Sequence, residues 1–234
     1  MRTIPIDVSH FVVDYTIAQE TKDSLDLIIV AMPIALVRVY QKLISDSGLL
    51  IEHAALEPQS VALARSVVRG SYLRDGAALV VDFGARMTGL VLGDERGLQS
   101  SITLSQGGEE ITQVIAEKFN ITFEEAEQRK IQRGFQDEDM ILILQHGPQL
   151  VLQEAGKLIR FYEQKNQKQV KTLLLAGGGA RMPGLPGYIA MNVDKTTLLL
   201  SEHNDILYAT AIGLALHPVE KTKNIDFLRR IPGT

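Results

Sequence analysis

The stretch that decides the fold is Val-Val-Asp-Phe-Gly-Ala-Arg-Met-Thr-Gly-Leu at residues 80–90. Two runs rich in β-forming residues, 77–83 and 88–93, flank the turn at 84–87, and a third run follows at 100–104. The pattern predicts three consecutive antiparallel strands.

The turn of this meander is also a candidate site. Asp82 leaves the first strand, where a carboxylate can hold Mg²⁺ through water, and a tight glycine turn at Gly84 can point backbone N–H groups at phosphates. The alternative is a structural hairpin with an Asp beside its turn and no ligand, because Asp and Gly are common turn residues.

A second informative stretch is Leu-Leu-Leu-Ala-Gly-Gly-Gly-Ala-Arg-Met-Pro-Gly-Leu at residues 173–185. It predicts a buried strand over 172–176, three glycines and a helix near 183–191, which would let a flat or anionic ligand approach the backbone closely. The alternative is a flexible turn. The stretch is neither Gly-x-Gly-x-x-Gly nor a P-loop, so a dinucleotide fold explains it less well.

A third candidate is the predicted helix that begins near Thr122. Thr122 and Glu125 have the spacing of a capping box. Glu127 and Lys130 share one face of the helix, where they could bracket a ribose with an acceptor and a donor. The alternative is a pair of solvated surface charges.

The rest of the chain alternates between strands and helices. The predicted elements are a strand at 27–32, a helix from Pro33 to Gly48, a strand at 49–56, a helix opened by Pro58, helices after Gly107-Gly108 and over 137–164 with a break at 147–148, a strand at 196–200, a helix at 205–217 and an edge strand at 224–228. We therefore expect an α/β fold around a mixed sheet.

Composition limits the classes of function. The 234 residues are 45% hydrophobic with a formal net charge of −4, which provides no broad basic field for nucleic acid or an anionic membrane surface. Cys is absent, so disulfides and thiolate chemistry are excluded. No apolar run approaches the roughly 18 residues of a membrane span, and residues 1–7 lack the apolar core of a signal peptide. We expect a cytoplasmic protein.

The order of the three candidate motifs resembles the phosphate and adenosine motifs of the actin-like (ribonuclease H-like) ATPase superfamily. Within it, the chain is similar to PilM-type proteins of the type IV pilus machinery over nearly its whole length. The matching segments are 6–7, 13–15, the Asp82 hairpin, 105–112, 125–130, 177–185, 208–215 and 224–228.

The resemblance implies roles for the candidate residues. ATP phosphates and Mg²⁺ would face Asp82, Gly84, Ala85, Arg86 and Thr88; the ribose or adenine would face Glu127 and Lys130; and the adenosine side would face Gly177, Gly178, Gly179 and Arg181. Asp82 would be both catalytic and a metal ligand. Glu57 falls where the superfamily connects its two lobes and could orient a water, or it is simply a helix-start carboxylate.

One departure from the superfamily shapes the expected domains. The first Asp-x-Gly phosphate loop has no counterpart before Leu27, so the resemblance implies a late start and an incomplete first lobe. We expect residues 1–75, with 205–234 packing back, to be a first-lobe remnant, and 76–204 to be the second lobe with a helical subdomain at about 107–145. We therefore expect the chain to bind ATP but to hydrolyse it weakly or not at all. Catalysis of phosphoryl transfer depends on positioning the reacting groups, and the first phosphate loop is missing.

Two functions stay open at this point. The first is a cytoplasmic ATP-binding component that binds a PilN-like inner-membrane protein. Such a protein could also associate with copies of itself. The second is an ATPase or phosphotransferase related to FtsA or the sugar kinases. We prefer the first, because no catalytic base lies beside a recognisable acceptor pocket and the tail lacks the amphipathic membrane helix of an FtsA-like protein.

Overall fold

The computed structural model describes residues 8–48, 54–69, 73, 76–199, 205–217 and 225–230. Its strands are β1 (Phe11–Glu20), β2 (Leu25–Pro33), β3 (Ala77–Phe83), β4 (Thr88–Asp94), β5 (Gly97–Leu104), β6 (Val170–Ala176) and β7 (Thr196–Leu199). Its α-helices are α1 (Ile34–Asp46), α2 (Gln59–Arg69), α3 (Gly108–Phe119), α4 (Phe123–Arg133), α5 (Glu138–Leu144), α6 (His146–Asn166), α7 (Leu185–Asn192) and α8 (Asp205–Ala215). Among the 3-10 helices are Gly178–Arg181 and Phe227–Arg230.

The larger sheet has the strand order β5-β4-β3-β6-β7. The predicted meander is confirmed, since β3, β4 and β5 pair antiparallel, whereas β6 pairs parallel to both β3 and β7. The register sets Asp82 beside Ala176. The ends of β3 and β6, which carry two of the predicted motifs, therefore lie next to each other.

The large sheet is covered by helices on both faces. One face packs against α3, α5, α6 and α7 through a core that includes Leu79, Val81, Leu173, Leu175, Ile115, Met140, Leu158 and Ile189. The other packs against α2 and α8 through Ala78, Val80, Leu174, Ala176, Leu63, Val67 and Ala209. Strands buried on both faces read as continuous apolar runs. Burying one Leu side chain in this core, relative to leaving it exposed to water, stabilises the fold by roughly 1.5–3 kcal/mol.

Helices α2 and α8 approach each other closely at Gly213. A Cβ atom placed on Gly213 would lie 1.8 Å from the carbonyl oxygen of Ala62, so a residue with a side chain cannot occupy this position without moving a helix. The Arg65 guanidinium also donates a hydrogen bond of 2.9 Å to the Gly213 carbonyl. This contact fixes α8 over the sheet face beside the end of β3.

A smaller unit is formed by the β1–β2 hairpin and α1. Its core contains Val12, Val37, Ile225 and Phe227. The sequence did not predict β1, whose mixed pattern Phe-Val-Val-Asp-Tyr-Thr-Ile-Ala-Gln-Glu lacks a strict period of two.

Several predicted elements differ from the structure. The edge strand at 224–228 is wrong, because Phe227–Arg230 is a 3-10 helix, and residue 224 lies outside the described residues. Residues 49–53 of the predicted strand at 49–56 also lie outside them, and residues 54–56 are not a strand. The helical break falls at Gln145 rather than at 147–148, because Pro148 sits in the first turn of α6, where its missing N–H costs nothing.

Candidate functional site

Asp82 stands at the end of β3 and is held by a residue from α2. Gln59 Nε2 donates a hydrogen bond of 2.8 Å to Asp82 Oδ2, and it lies 3.3 Å from Thr210 Oγ1 of α8. Burial raises the pKa of the Asp82 carboxyl above its ordinary value, against the opposing effect of the Gln59 hydrogen bond. A partly buried carboxyl group with a shifted pKa in a cleft is a candidate functional group.

The turn after Asp82 presents backbone amides to solvent. Gly84 N donates to Met87 O at 3.0 Å, which closes the turn, and Thr88 Oγ1 donates to Gln106 O at 2.7 Å. Ala85, Arg86 and Met87 are exposed, and within the described residues their amides donate to no other backbone carbonyl. Successive free amides at a tight turn form a concavity that suits anions.

The start of α3 is fastened to the same turn. Gly108 N donates to Gly84 O at 3.0 Å, and Glu109 N donates to Ala85 O at 2.8 Å. A Cβ on Gly107 would lie 2.3 Å from the Ala85 carbonyl oxygen, so this position requires glycine. The first amides of α3 therefore hold the turn in shape, and the amides left for a ligand are those of the turn itself.

The three glycines after β6 have different roles. Gly177 has a φ of 79°, and a Cβ there would lie 2.5 Å from Asp82 Oδ1; a Cβ on Gly179 would lie 2.8 Å from the Cβ of Phe83. These two glycines let β3 and β6 meet. A Cβ on Gly178, by contrast, would have no neighbour within 4 Å. Gly178 is the glycine that leaves open space for a ligand.

Glu127 and Lys130 form a network with α3 in which Lys130 is buried and the Glu127 side chain is 35% exposed. Lys130 Nζ donates to Gly108 O at 2.8 Å, to Thr112 Oγ1 at 2.6 Å and to Glu127 Oε2 at 2.6 Å, and Thr112 Oγ1 also bonds Glu127 Oε2. Burial works to raise the pKa of Glu127, but the hydrogen bonds from Lys130 and Thr112 outweigh it, and that pKa lies below its ordinary value. Lys130 is only 8% exposed, so the pair is not a solvated surface pair.

The network is anchored by the predicted helix start. Thr122 Oγ1 accepts from Glu125 N while the Glu125 carboxylate accepts from Thr122 N, which confirms the capping box. The hydrogen bonds to Glu127 fall on Oε2, and Oε1 has no donor among the described residues. Glu127 therefore keeps one acceptor atom for a ligand hydroxyl.

Three cavities border the hairpin turn in the described part of the chain. One, of ≈ 500 Å³, is lined by residues that include Gly84, Thr88 and Gln106. The other two meet at Ala85 and Glu109. The first of these two, of ≈ 530 Å³, is lined by residues that include Phe123, Glu127, Lys130, Gly178, Gly179, Arg181 and Met182. The second, of ≈ 650 Å³, is lined by residues that include Pro58, Gln59, Asp82, Arg86, Met87, Ser101 and Thr103. Both are lined by Gly84, Ala85 and Glu109. Both volumes lie within the range of small-molecule sites.

Glu57 does not share this cleft. Its oxygens Oε1 and Oε2 accept hydrogen bonds of 2.6 and 2.7 Å from the two terminal nitrogens of Arg65, and the residue is 8% exposed. Gln59, two residues later, is the polar side chain that reaches Asp82. Gln59 was not among the residues predicted from the sequence, although its place at the start of a predicted helix, directly after Pro58, pointed to it.

The described residues contain no group of three or more acidic or His side chains that could hold a metal ion, and no described helix is long and apolar enough to cross a membrane. Mg²⁺ does not need such a group, because it is usually bound through one or two carboxylates, waters and substrate phosphates. Asp82 beside the turn amides fits that mode.

Comparison with known proteins identifies similar chains. Residues 2–218 match the family model for the type IV pilus assembly protein PilM. The structure superposes on a chain of the PilM–PilN type IV pilus biogenesis complex with a TM-score of 0.70 and 21% identity, over 93% of this chain and 69% of that one.

More distant solved structures share the fold. The ethanolamine utilization protein EutJ from Carboxydothermus hydrogenoformans matches with a TM-score of 0.53 and 22% identity, over 68% of this chain and 55% of that one. MreB 5 of Spiroplasma citri, bound to AMPPNP, matches with a TM-score of 0.57 and 13% identity, over 77% and 63% of the two chains. These matches confirm the actin-like fold, and the chain spans less than two thirds of both proteins.

Proposed function

Because the chain belongs to the family of the type IV pilus assembly protein PilM, we propose that it is a cytoplasmic, ATP-binding component of type IV pilus assembly that docks on a PilN-like inner-membrane protein. The observation that carries the nucleotide part is the meeting of two cavities at the hairpin turn. A nucleotide has an uncharged base and sugar at one end and a polyanion at the other. The two cavities offer these ends different surroundings.

We propose that the two ends of ATP bind in different cavities. The adenosine occupies the cavity of Gly178, Gly179 and Arg181, with Glu127 Oε1 accepting from a ribose hydroxyl and Lys130 holding Glu127 in place. The phosphates lie over the free amides of the turn, which Arg86 flanks. The structure of MreB 5 bound to AMPPNP supports a nucleotide in this fold.

The phosphate end would also hold Mg²⁺. Asp82 would hold the ion through water, with Gln59 orienting the carboxylate, and Thr88 stabilises the turn through its bond to Gln106. When bound, the ion neutralises phosphate charge. The ion would also lower the pKa of Asp82, because a nearby positive charge favours the ionised carboxyl.

We propose that hydrolysis is weak or absent and that ATP acts mainly as a structural ligand. Among the described residues that line the phosphate cavity, Asp82 and Gln59 form a hydrogen-bonded pair that could position a water, and the Glu109 carboxylate lies 3.4 Å from Arg86. Glu57, the other residue predicted for that role, has both oxygens engaged by Arg65. Catalysis of phosphoryl transfer needs several charges and donors placed together.

The partner assignment rests on family membership and on the similar PilM chain, which is seen in a complex with PilN. We propose that the chain reaches the inner membrane through the cytoplasmic peptide of a PilN-like protein. The proposed division keeps residues 1–75 and 205–234 together as the first-lobe part and 76–204 as the second lobe. The shared core of Ile225 and Phe227 with Val12 and Val37 supports joining the ends of those two segments, whereas α2 and α8 pack on the large sheet of the second part.

Calorimetric titration of MgATP tests the nucleotide proposal. We expect the wild-type chain to bind and the Asp82→Ala variant to lose at least tenfold in affinity, while Asp23→Ala, a change at an exposed position of the β1–β2 turn, binds like wild type. A folded wild-type chain that does not bind would overturn the proposal. Titration with the cytoplasmic peptide of a PilN-like protein tests the partner separately, and failure of a full-length relative to bind it would overturn that part.

An ATPase is the second candidate, favoured by the Asp82–Gln59 pair. Measurement of phosphate release under saturating MgATP separates the two functions. Turnover of many ATP molecules per minute that Gln59→Ala abolishes would make the chain an enzyme, and turnover at the uncatalysed rate would support the structural role.

A further inference from the structure

The cavity assigned above to adenosine has two walls, and the space between them is here called the base end. One wall is a face of α4, on which Phe123, Glu127 and Ile131 recur at intervals of four residues. The other wall is the 3-10 helix after β6, which contributes Arg181, followed by Met182. On either side of Glu127, therefore, the α4 wall is apolar.

Most polar side chains that line this cavity in the described part of the chain are already engaged. A Lys ammonium has three protons, and Lys130 Nζ makes three hydrogen bonds, to Gly108 O, Thr112 Oγ1 and Glu127 Oε2. Glu127 keeps Oε1 for a ribose hydroxyl in the proposed site, and Glu109 also lines the neighbouring phosphate cavity. One polar side chain among the described lining residues then remains for the base.

That side chain, Arg181, cannot accept a hydrogen bond from the amino group of adenine. A guanidinium carries five N–H donors and no acceptor, and the N6 amino group of adenine is itself a donor. Backbone acceptors of the same wall are used in its own turns, since Gly177 O accepts from Ala180 N at 3.2 Å and Gly179 O accepts from Met182 N at 3.0 Å. Among the described residues, the base end thus offers no side-chain acceptor to the group that distinguishes adenine from guanine.

Arg181 is suited instead to the face of the ring. Its guanidinium is planar and always charged, and such groups stack on aromatic rings. The side chain is exposed and lines the cavity together with Gly178, over which the space is open. Stacking tolerates different bases, because every base has a π face.

The other wall leaves the edge of the ring in contact with water. Phe123 is 40% exposed and Ile131 is 55% exposed, so water can bond the edge of either purine. Strong rejection of an analogue requires a buried polar group that the wrong ligand leaves unpaired. The base end therefore selects by the size of the ring rather than by its edge.

We propose that the base end accepts purine rings without distinguishing adenine from guanine, with Arg181 stacking on the ring, so that the ligands of this cavity are purine nucleoside triphosphates as a class. The inference rests on the proposed nucleotide site and widens its ligand from ATP to GTP.

Calorimetric titration of the full chain with MgATP, MgGTP, MgITP and MgCTP tests this proposal. ITP carries the oxygen of guanine at C6 without the amino group at C2, so it isolates the position at which adenine has its amino group. We expect the dissociation constants of the three purine nucleotides to agree within about threefold. CTP should bind at least about tenfold more weakly, because its single ring offers less area for stacking.

The Arg181→Ala variant tests the stacking residue. It should weaken the binding of ATP and GTP by the same factor, about tenfold, and should weaken the binding of CTP less. Arg160→Ala, a change at an exposed position of α6, is the matched control and should bind all four nucleotides like wild type.

Binding of GTP more than about tenfold weaker than that of ATP would overturn this inference and leave the proposed ATP site intact. CTP binding equal to that of ATP would also overturn it. An Arg181→Ala variant that loses one purine more than the other, or CTP as much as ATP, would show that the guanidinium reads the edge of the ring or binds the phosphates, and would overturn it too. A folded wild-type chain that binds none of the four nucleotides would instead overturn the proposed nucleotide site itself.

Discussion

Gln59 and Asp82 are joined by a hydrogen bond of 2.8 Å that links the first turn of α2 to the end of β3. Gln59 also lies 3.3 Å from Thr210 of α8. Helix α2 thus contacts the carboxylate that we assign to Mg²⁺ directly, and α8 contacts it only through Gln59. A ligand that draws Asp82 towards a cation would pull on this contact, so the phosphate site is coupled to the packing of α2 against α8.

Asp82→Asn should stabilise the ligand-free chain at pH 7 while removing MgATP binding. Burial raises the pKa of Asp82 in the folded chain, so holding its ionised form costs free energy above that pKa. The cost disappears only well below the unfolded pKa of about 3.9, where the carboxyl is protonated in both states. The gain in melting temperature over wild type should therefore be largest at pH 7 and vanish towards about pH 3. Thermal unfolding between about pH 3 and pH 8 measures this, with Asp23→Asn as the exposed control. A melting temperature of Asp82→Asn that differs from wild type by the same amount at every pH would contradict this prediction.

Gly178→Val should abolish nucleotide binding without unfolding the chain. A Cβ on Gly178 meets no atom within 4 Å, and the added side chain would enter the adenosine cavity. Calorimetry should show a loss of at least tenfold in affinity, with an unchanged circular dichroism spectrum. Gly187→Val is the matched control, because its Cβ is also unobstructed but lies on α7. Equal nucleotide affinity in the two variants would show that the nucleotide does not bind in this cavity.

Arg65→Met should lower the free energy of unfolding by about 3–5 kcal/mol, because it leaves the Glu57 carboxylate buried without its partner. The double variant Glu57→Leu/Arg65→Met should recover much of the loss, since no buried charge remains. Urea denaturation of the two single variants and the double variant measures the coupling. A Glu57→Gln variant of wild-type stability that has lost phosphate release would instead support the catalytic role that the sequence predicted for Glu57.

Gly213→Ala should destabilise the chain by about 1–3 kcal/mol or more, because its Cβ would overlap the Ala62 carbonyl and push α8 away from α2. For a chain of this length each kcal/mol lowers the melting temperature by roughly 2–4 °C. Differential scanning calorimetry measures the shift. Gly156→Ala, in the middle of α6, meets only the flexible end of Arg160 and should leave stability equal or slightly higher. Equal melting temperatures in the two variants would show that α8 can move without cost.

The elements that the sequence predicted correctly are those whose stabilising contacts join residues close together in the chain. The capping box of Thr122 and Glu125 and the meander around Asp82 are confirmed, because both depend on contacts between residues close in sequence. Strand β1 and the 3-10 helix at Phe227–Arg230 were missed or misread, because their burial comes from partners far away in the chain.

The sequence by itself determined that glycine turns follow two buried strands and that Glu127 and Lys130 share a helix face, since these follow from residue order and helical period. Only the tertiary structure decided what each residue does. Parallel pairing of β3 with β6 brings Asp82 against Gly177 and leaves Gly178 open, and it could not be derived from either strand alone. Packing of α2 turns Gln59 towards Asp82 and buries Glu57 with Arg65. Spacing along a chain fixes which residues are neighbours on one element, whereas side-chain partners across elements depend on how the elements pack.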